Sequence, residues 1–398
     1  MAREFFIFVY LLLFHVIFAF CSIFPVKRKI TFVVSFKQNS LFVYNELKKQ
    51  SKPFQVTFVC TPSCYQQVAK EVKQKKVFLF DLKKPWHFIS SIYHIATSQY
   101  VIVDNYYGFL STVSFKKGVE CIQLWHAAGA IKTFGLSDKS IHMRSKGALH
   151  RFKKVYAQFD HVVIGSEKMK HIFMEAFGLS SEKFLLTGIP RTDLFFEKER
   201  KEAVVKHIYR RYPALKNKKV ILYAPTFRDG QLDKFDLKLD LSQMHKAFKD
   251  TYALIVKLHP AVKKNADLSR YPGFVIDCTD YDDVNELLLI TDVLITDYSS
   301  IPFEFSILNR PMIFYPYDLE AYQETRGFWE SYDQLVPGPV AYQTGEIIKL
   351  IKSGSFDYRR IEAFSKLWNT YSTGHSSRNL VQYLYHHEEN KVHYDRGD

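Results

Sequence analysis

The chain has 398 residues, 47% hydrophobic and 24% charged, an ordinary globular composition with enough apolar sequence for a core in each of two domains. Lysine and arginine total 55 against 41 acidic residues, and the net charge of +14 favours anionic partners. The basic residues are scattered in pairs, without a zinc-finger or RNA-binding signature, so phosphates and acidic membrane lipid are expected as partners and nucleic acid is not.

Residues 5–24 form an apolar run broken only by His15 and Ser22, followed by Pro25 and Lys27-Arg28-Lys29. Its length matches a bilayer's hydrocarbon layer. The basic residues place the large domain on the cytoplasmic face of the cell membrane. Because the run is apolar all round, deep insertion is expected; a helix packed on the adjoining domain is the alternative, which His15 supports. Continuous apolar strands are then predicted at 30–35, 55–60, 76–81, 100–104, 121–125, 161–165 and 184–188, with helices at 41–50 and 65–74 between them. A charged segment, 196–219, separates these from strands at 220–224, 253–258, 274–277, 293–296 and 312–315. Helices are predicted at 241–249, 281–289 and 302–308, and terminal helices at 358–387. This pattern is α/β, two doubly wound domains with a cleft between them. The domains expected are a membrane-associated helix at 1–26, an N-terminal domain at 27–195, a C-terminal domain at 196–355 and C-terminal helices with a tail at 356–398. The five cysteines form no CxxC pair and are read as reduced thiols.

Polar motifs stand at the predicted carboxyl ends of these strands, where open α/β sheets bind ligands. The run 121–125 stops at His126, followed by Ala127, Ala128, Gly129 and Lys132. On its own, His126 reads as a packed residue at a strand end. The segment 188–195 carries Arg191 and Asp193 after a strand. Pro225, Thr226 and Arg228 follow the strand at 220–224, offering a hydroxyl and a guanidinium to phosphate oxygens. Lys257 and His259 alternate with Leu258 and so share a side. Asp297-Tyr298-Ser299-Ser300 precedes a helix whose free amides suit phosphate, the alternative being a plain serine cap. Asp282-Asp283 opens a predicted helix and suits its dipole, so no metal site is expected and no cofactor is predicted; divalent metal dependence is left open. Walker A, GxGxxG, GxSxG and HExxH motifs do not occur.

Taken together, Trp125-His126 with Gly129 and Lys132, and the segments 188–193, 224–228, 257–260, 292–304 and 311–318 with Arg326-Gly327, resemble the CDP-glycerol glycerophosphotransferases of wall teichoic acid synthesis. The resemblance covers residues 28–385. The form WHAAGAIK, where the family's polymerases carry tryptophan–histidine–glycine–threonine–proline, is closer to the primase branch (TagB/TarB type). It implies a GT-B fold of two Rossmann-like domains and a monotopic membrane association. It also implies transfer of the first glycerol phosphate from CDP-glycerol to a ManNAc–GlcNAc disaccharide on undecaprenyl diphosphate, releasing CMP. His126 is the base that the resemblance implies, with His259 near the diphosphate; which of the two is the base stays open. Lys132, Arg191, Pro225, Thr226, Arg228, Lys257, Ser299, Ser300 and Arg326 are the expected substrate contacts, and Asp297 and Glu304 are expected to orient the donor. Other teichoic acid enzymes are further candidate partners. The rival readings are a later-acting glycerol or ribitol phosphate transferase, a nucleotide-sugar transferase on the same scaffold, and a non-catalytic membrane scaffold.

Overall fold

Runs of β-branched and aromatic residues, buried on both faces, build two parallel sheets in this chain. The computed structural model describes residues 2–72, 76–228, 237–258 and 268–394. The chain divides into unit 1 (Met1–His126, Phe134–Asp193 and Tyr371–Asp398) and unit 2 (Ala127–Thr133 and Leu194–Thr370). The change of unit after Asp193 lies close to the expected boundary. The segment 127–133 and the last helix are placed differently from the expectation: the first belongs to unit 2 and the second to unit 1.

In unit 1 the strands are β1 (Lys27–Val34), β2 (Gln55–Cys60), β3 (Val77–Leu79), β4 (Ser98–Val103), β5 (Glu120–Gln123), β6 (His161–Val163) and β7 (Phe184–Leu185). They pair in the order β3-β2-β1-β4-β5-β6-β7, so the order reverses direction between β1 and β4. Register there sets Ile30 beside Tyr100 and Phe32 beside Ile102. The helices are α1 (Ala2–Cys21), α2 (Lys37–Leu47), α3 (Tyr65–Val72), α4 (Pro85–Ala96), α5 (Lys146–Ala157) and α6 (Glu167–Phe177).

Helix α1 buries one stripe, Leu11, Phe14, Phe18 and Cys21, at helical spacing. Phe14 stacks on Phe109 at 4.6 Å between ring centroids, and burying such a ring stabilises by about 1.5–3 kcal/mol. The His15 Nδ1 lies 2.7 Å from the Thr112 carbonyl. The helix is therefore packed along unit 1 with its other apolar face exposed. The sequence shows apolar residues all round because both faces are apolar, and only tertiary packing separates them.

Unit 2 carries α7 (Lys198–Arg211), β8 (Lys219–Ala224), α8 (Leu241–Phe248), β9 (Tyr252–Val256), β10 (Val275–Asp277), α9 (Val284–Leu288), β11 (Val293–Thr296), α10 (Ile301–Phe305), β12 (Met312–Phe314), α11 (Leu319–Arg326), α12 (Tyr332–Leu335), α13 (Thr344–Ser353) and α14 (Tyr358–Trp368). Its order, β10-β9-β8-β11-β12, reverses between β8 and β11. The charged segment expected as a separator is helix α7, whose one buried residue is Ile208; so thin an apolar face leaves no periodic signal.

After α14 the chain re-enters unit 1 and forms α15 (Ser376–Tyr394). The Asp193 carboxylate accepts the Ser376 and Ser377 N–H groups, both at 2.8 Å, and so caps α15. Gly188 makes that return fit: its φ is +84°, and a Cβ there would stand 2.4 Å from the Tyr371 carbonyl oxygen.

Candidate active site

Strand β5 ends at Gln123, two residues before the predicted end, because Trp125 adopts φ +58°. Left-handed backbone at a bulky residue costs about 1–3 kcal/mol and persists only where its surroundings impose it. Here both backbone groups are held. The Trp125 N–H donates to Gln123 Oε1 at 2.8 Å, and its carbonyl accepts from Asn39 Nδ2 at 3.0 Å. The indole stacks on Phe134 at 5.0 Å. This turn swings His126 over the carboxyl end of the sheet, where its ring stacks on Phe36 at 4.4 Å.

The His126 Nδ1 lies 3.2 Å from the Asp104 carbonyl oxygen. A carbonyl only accepts, so Nδ1 carries the proton, and in the neutral ring Nε2 keeps the lone pair. That is the tautomer a general base needs. Phe36 and Asp104 follow β1 and β4, so the histidine stands over the reversal point of the strand order, where ligands of open α/β sheets bind.

Asp104 organises this point. Its buried carboxylate accepts the Ser35 N–H at 3.0 and 2.9 Å, the Phe36 N–H at 2.7 Å and the Tyr107 hydroxyl at 2.8 Å. Burial pushes the carboxyl up to about 7, against these hydrogen bonds, which favour its ionised form. The folded protein therefore holds that proton more tightly than the unfolded chain. The stabilisation this gives is complete below about pH 4, the unfolded value, and is lost as pH rises through the folded one. Between about pH 5 and about pH 8 the melting temperature should fall more steeply in the wild type than in Asp104→Asn, as thermal unfolding in the two buffers would show. Equal slopes would mean that Asp104 does not titrate there.

Asn39, also buried, joins two motifs of unit 1: while its Nδ2 holds Trp125, its Oδ1 accepts the Arg191 N–H at 2.9 Å. Arg191 is thus placed by its backbone beside the residue that carries the His126 turn.

Unit 2 repeats this device at its own reversal point. Asp297, at the end of β11, accepts the Thr226 N–H at 2.8 Å after β8, just as Asp104 after β4 accepts the N–H groups after β1. Its other oxygen accepts from Arg228 Nη2 at 3.0 Å. Asp318 completes the network with bonds from Arg228 Nε at 2.7 Å and Nη2 at 2.8 Å, while Arg228 Nη1 donates to the Thr226 carbonyl at 2.5 Å. The guanidinium centre lies 4.8 Å from the Tyr322 ring centroid and 5.0 Å from those of Tyr298 and Tyr317. Burial opposes its charge, but the hydrogen bonds to Asp318 and the charge of Asp297 outweigh that and raise Arg228 well above its usual range. Arg228, expected as a phosphate contact, is paired with the Asp318 and Asp297 carboxylates, and it fastens the 225–228 loop.

Ser299 Oγ accepts the Ile301 N–H at 3.2 Å, whereas Ser300, the residue before α10, makes no side-chain cap. Helix α10 has only five residues, ending earlier than predicted, so the serines offer local amides and hydroxyls rather than a long helix dipole. Pro225 is buried beside Thr226, whose Oγ1 is buried without a hydrogen-bond partner among the described residues. Glu304 is buried on α10. Lys257 donates to the Thr279 carbonyl at 2.7 Å. Burial draws its ammonium below the ordinary value, opposed by Cys278 and by Asp280, Asp282 and Asp283. His259 lies outside the described residues.

The segments that carry Lys132 and Arg326, far apart in sequence, pair in unit 2. Lys132 bridges Phe328 in an antiparallel pair, the Thr133 N–H donates to the Gly327 carbonyl at 3.2 Å, and Thr133 Oγ1 donates to the Arg326 carbonyl at 2.9 Å. Gly129 admits the Phe303 ring, since a Cβ there would fall within 2.6 Å of three of its carbons. Sequence reasoning missed Asn39 and Asp104 as site residues, and placed Asp318 in a motif without a role. Each is an ordinary polar residue whose partners only the fold supplies.

A family model described as CDP-Glycerol:Poly(glycerophosphate) glycerophosphotransferase matches residues 16–386. The teichoic acid glycerol-phosphate primase of Bacillus subtilis (strain 168) is 37% identical over 359 residues, 90% of this chain and 92% of that protein. The primase of the same name from Bacillus spizizenii is 37% identical over 382 residues, 96% of this chain and 98% of its own length. Among solved structures, the wall teichoic acid polymerase TagF aligns with a TM-score of 0.78 at 24% identity, covering 92% of this chain and 90% of that one, a likeness of fold.

Proposed function

The chain belongs to the CDP-glycerol:poly(glycerophosphate) glycerophosphotransferase family, and on that premise we propose that it transfers the first glycerol phosphate from CDP-glycerol to a ManNAc–GlcNAc disaccharide on undecaprenyl diphosphate, releasing CMP. It is a glycerophosphotransferase of teichoic acid synthesis. We take its two α/β units for those of a GT-B enzyme, working at the cytoplasmic face of the membrane.

The reading rests above all on His126. A sugar hydroxyl is a weak nucleophile at neutral pH, and an imidazole protonated at Nδ1 accepts its proton at Nε2 as the new bond forms. In the proposed step the acceptor oxygen attacks the phosphorus bearing glycerol, the bond from that phosphorus to the CMP oxygen breaks, and CMP leaves as the anion. The acceptor proton goes to His126 Nε2. Charge spread over the phosphoryl oxygens calls for fixed donors. Thr226, whose buried hydroxyl has no hydrogen-bond partner among the described residues, Ser299, Ser300 and Lys257 are proposed for the donor diphosphate. His259 is proposed as a hydrogen-bond donor to the departing oxygen, and Arg191, Lys132 and Arg326 as further substrate contacts. Pro225 shapes the loop that Arg228 and Asp297 hold in place. Glu304 is proposed to orient the glycerol end.

Mass analysis of the product tests this. Enzyme, CDP-glycerol and the lipid-linked disaccharide should yield an acceptor heavier by one glycerol phosphate, with CMP released in equal amount. A polymer would make it a later-acting transferase. Turnover of CDP-ribitol alone would make it a ribitol phosphate transferase, and UDP release from a UDP-sugar would overturn the reading.

A further inference from the structure

The packing of α1 leaves a groove on unit 1. A cavity of about 760 Å³ lies between α1, the turn Gly108–Thr112 and α5, and a second of about 480 Å³ adjoins it. They share Ile7, Leu11 and Arg151. One wall is apolar, formed by Ile7, Phe8, Leu11 and Leu12 of α1; the other, from α5, presents His150, Arg151 and Lys154. Arg151 is paired with Glu4 at 2.8 and 3.2 Å where the two halves meet. His150 and Lys154 are exposed and have no carboxylate partner among the described residues.

A hydrocarbon wall facing a wall of basic side chains suits neither a soluble metabolite nor a wholly apolar ligand; it suits an amphiphile with an anionic head. The neighbouring surface agrees. The outer face of α1 exposes Phe6 (71%) and Phe20 (72%), and Trp86, at the start of α4, is 82% exposed, as aromatic side chains at a bilayer interface would be. The second cavity reaches Tyr106 and Gly108. Tyr106 is two residues beyond Asp104, whose carbonyl meets His126. The second cavity, which shares Arg151 with the first, thus adjoins the chain segment that positions His126.

We infer that this groove seats the lipid acceptor itself, the diphosphate against His150, Arg151 and Lys154 and the first isoprene units along Ile7–Leu12 of α1. The inference rests on the function proposed above and adds the place where its acceptor is held. The test compares wild type with Lys154→Glu/His150→Glu on two acceptors: the full polyprenyl diphosphate disaccharide, and the same disaccharide on a short neutral aglycone. The ratio of kcat/KM for the lipid acceptor to that for the short one should fall about tenfold or more, as two charge-assisted contacts turn repulsive. An unchanged ratio overturns the groove. So does an equal loss of binding to phosphatidylglycerol vesicles free of acceptor, which would mark a general attraction to anionic lipid. Independently, a photoreactive prenyl diphosphate should label α1 or α5; labelling confined to other segments overturns it. A wild type that releases no CMP with either acceptor counts against the proposed reaction itself.

Discussion

His126→Ala is expected to lower kcat roughly 10²–10⁴-fold, the range for loss of a general base, with the KM for CDP-glycerol changed little. The geometry gives a reason to expect a kcat effect. The ring stacks on Phe36, and its Nδ1 faces the Asp104 carbonyl, which fixes the tautomer with the proton on Nδ1. His126→Asn keeps a polar side chain without a basic nitrogen and should be nearly as slow. CMP release with the lipid-linked disaccharide measures both, and circular dichroism confirms folding. Turnover near wild type by a folded His126→Ala protein would remove His126 from the chemistry and leave His259 as the remaining histidine candidate.

The second large effect is on stability. Arg228→Met takes the cation away from Asp297, whose side chain is 2% exposed, and from Asp318. Removing one partner of a buried ion pair typically costs about 3–5 kcal/mol, because the remaining charge stays buried without compensation. Chemical denaturation of the full chain should show a loss of that size, together with poorer binding of CDP-glycerol as the 225–228 loop loosens. Restoring neutrality with Asp297→Asn and Asp318→Asn in the same protein should recover part of the stability, since the uncompensated charges are then gone. A loss below about 1 kcal/mol, with a large rise in the KM for CDP-glycerol, would mean that Arg228 meets the donor after all and fastens little.

Asp104 and Asp297 show where local reading ends. Each tops a strand beside the reversal point of its sheet and ties down the loop after the neighbouring strand. In the sequence Asp297 stands out because serines follow it, whereas Asp104 precedes Asn105 and two tyrosines and carries no such mark. Their equivalence appears only once the strand order is known.

Sequence alone determined the strand runs, the two α/β halves and the set of motifs at strand ends, because a buried parallel strand is written in consecutive apolar residues and its ligand loops come directly after it. It also determined the family, through motifs matched by residues 16–386. Tertiary structure decided which side chains those motifs touch. It bound Arg228 to Asp318, 90 residues away, and Trp125 to Asn39, 86 residues away. It also paired Lys132 with Phe328 and chose which face of α1 lies on the protein. Periodicity is a property of neighbours in the chain, while a hydrogen bond or a packed face belongs to residues that the order of strands brings together.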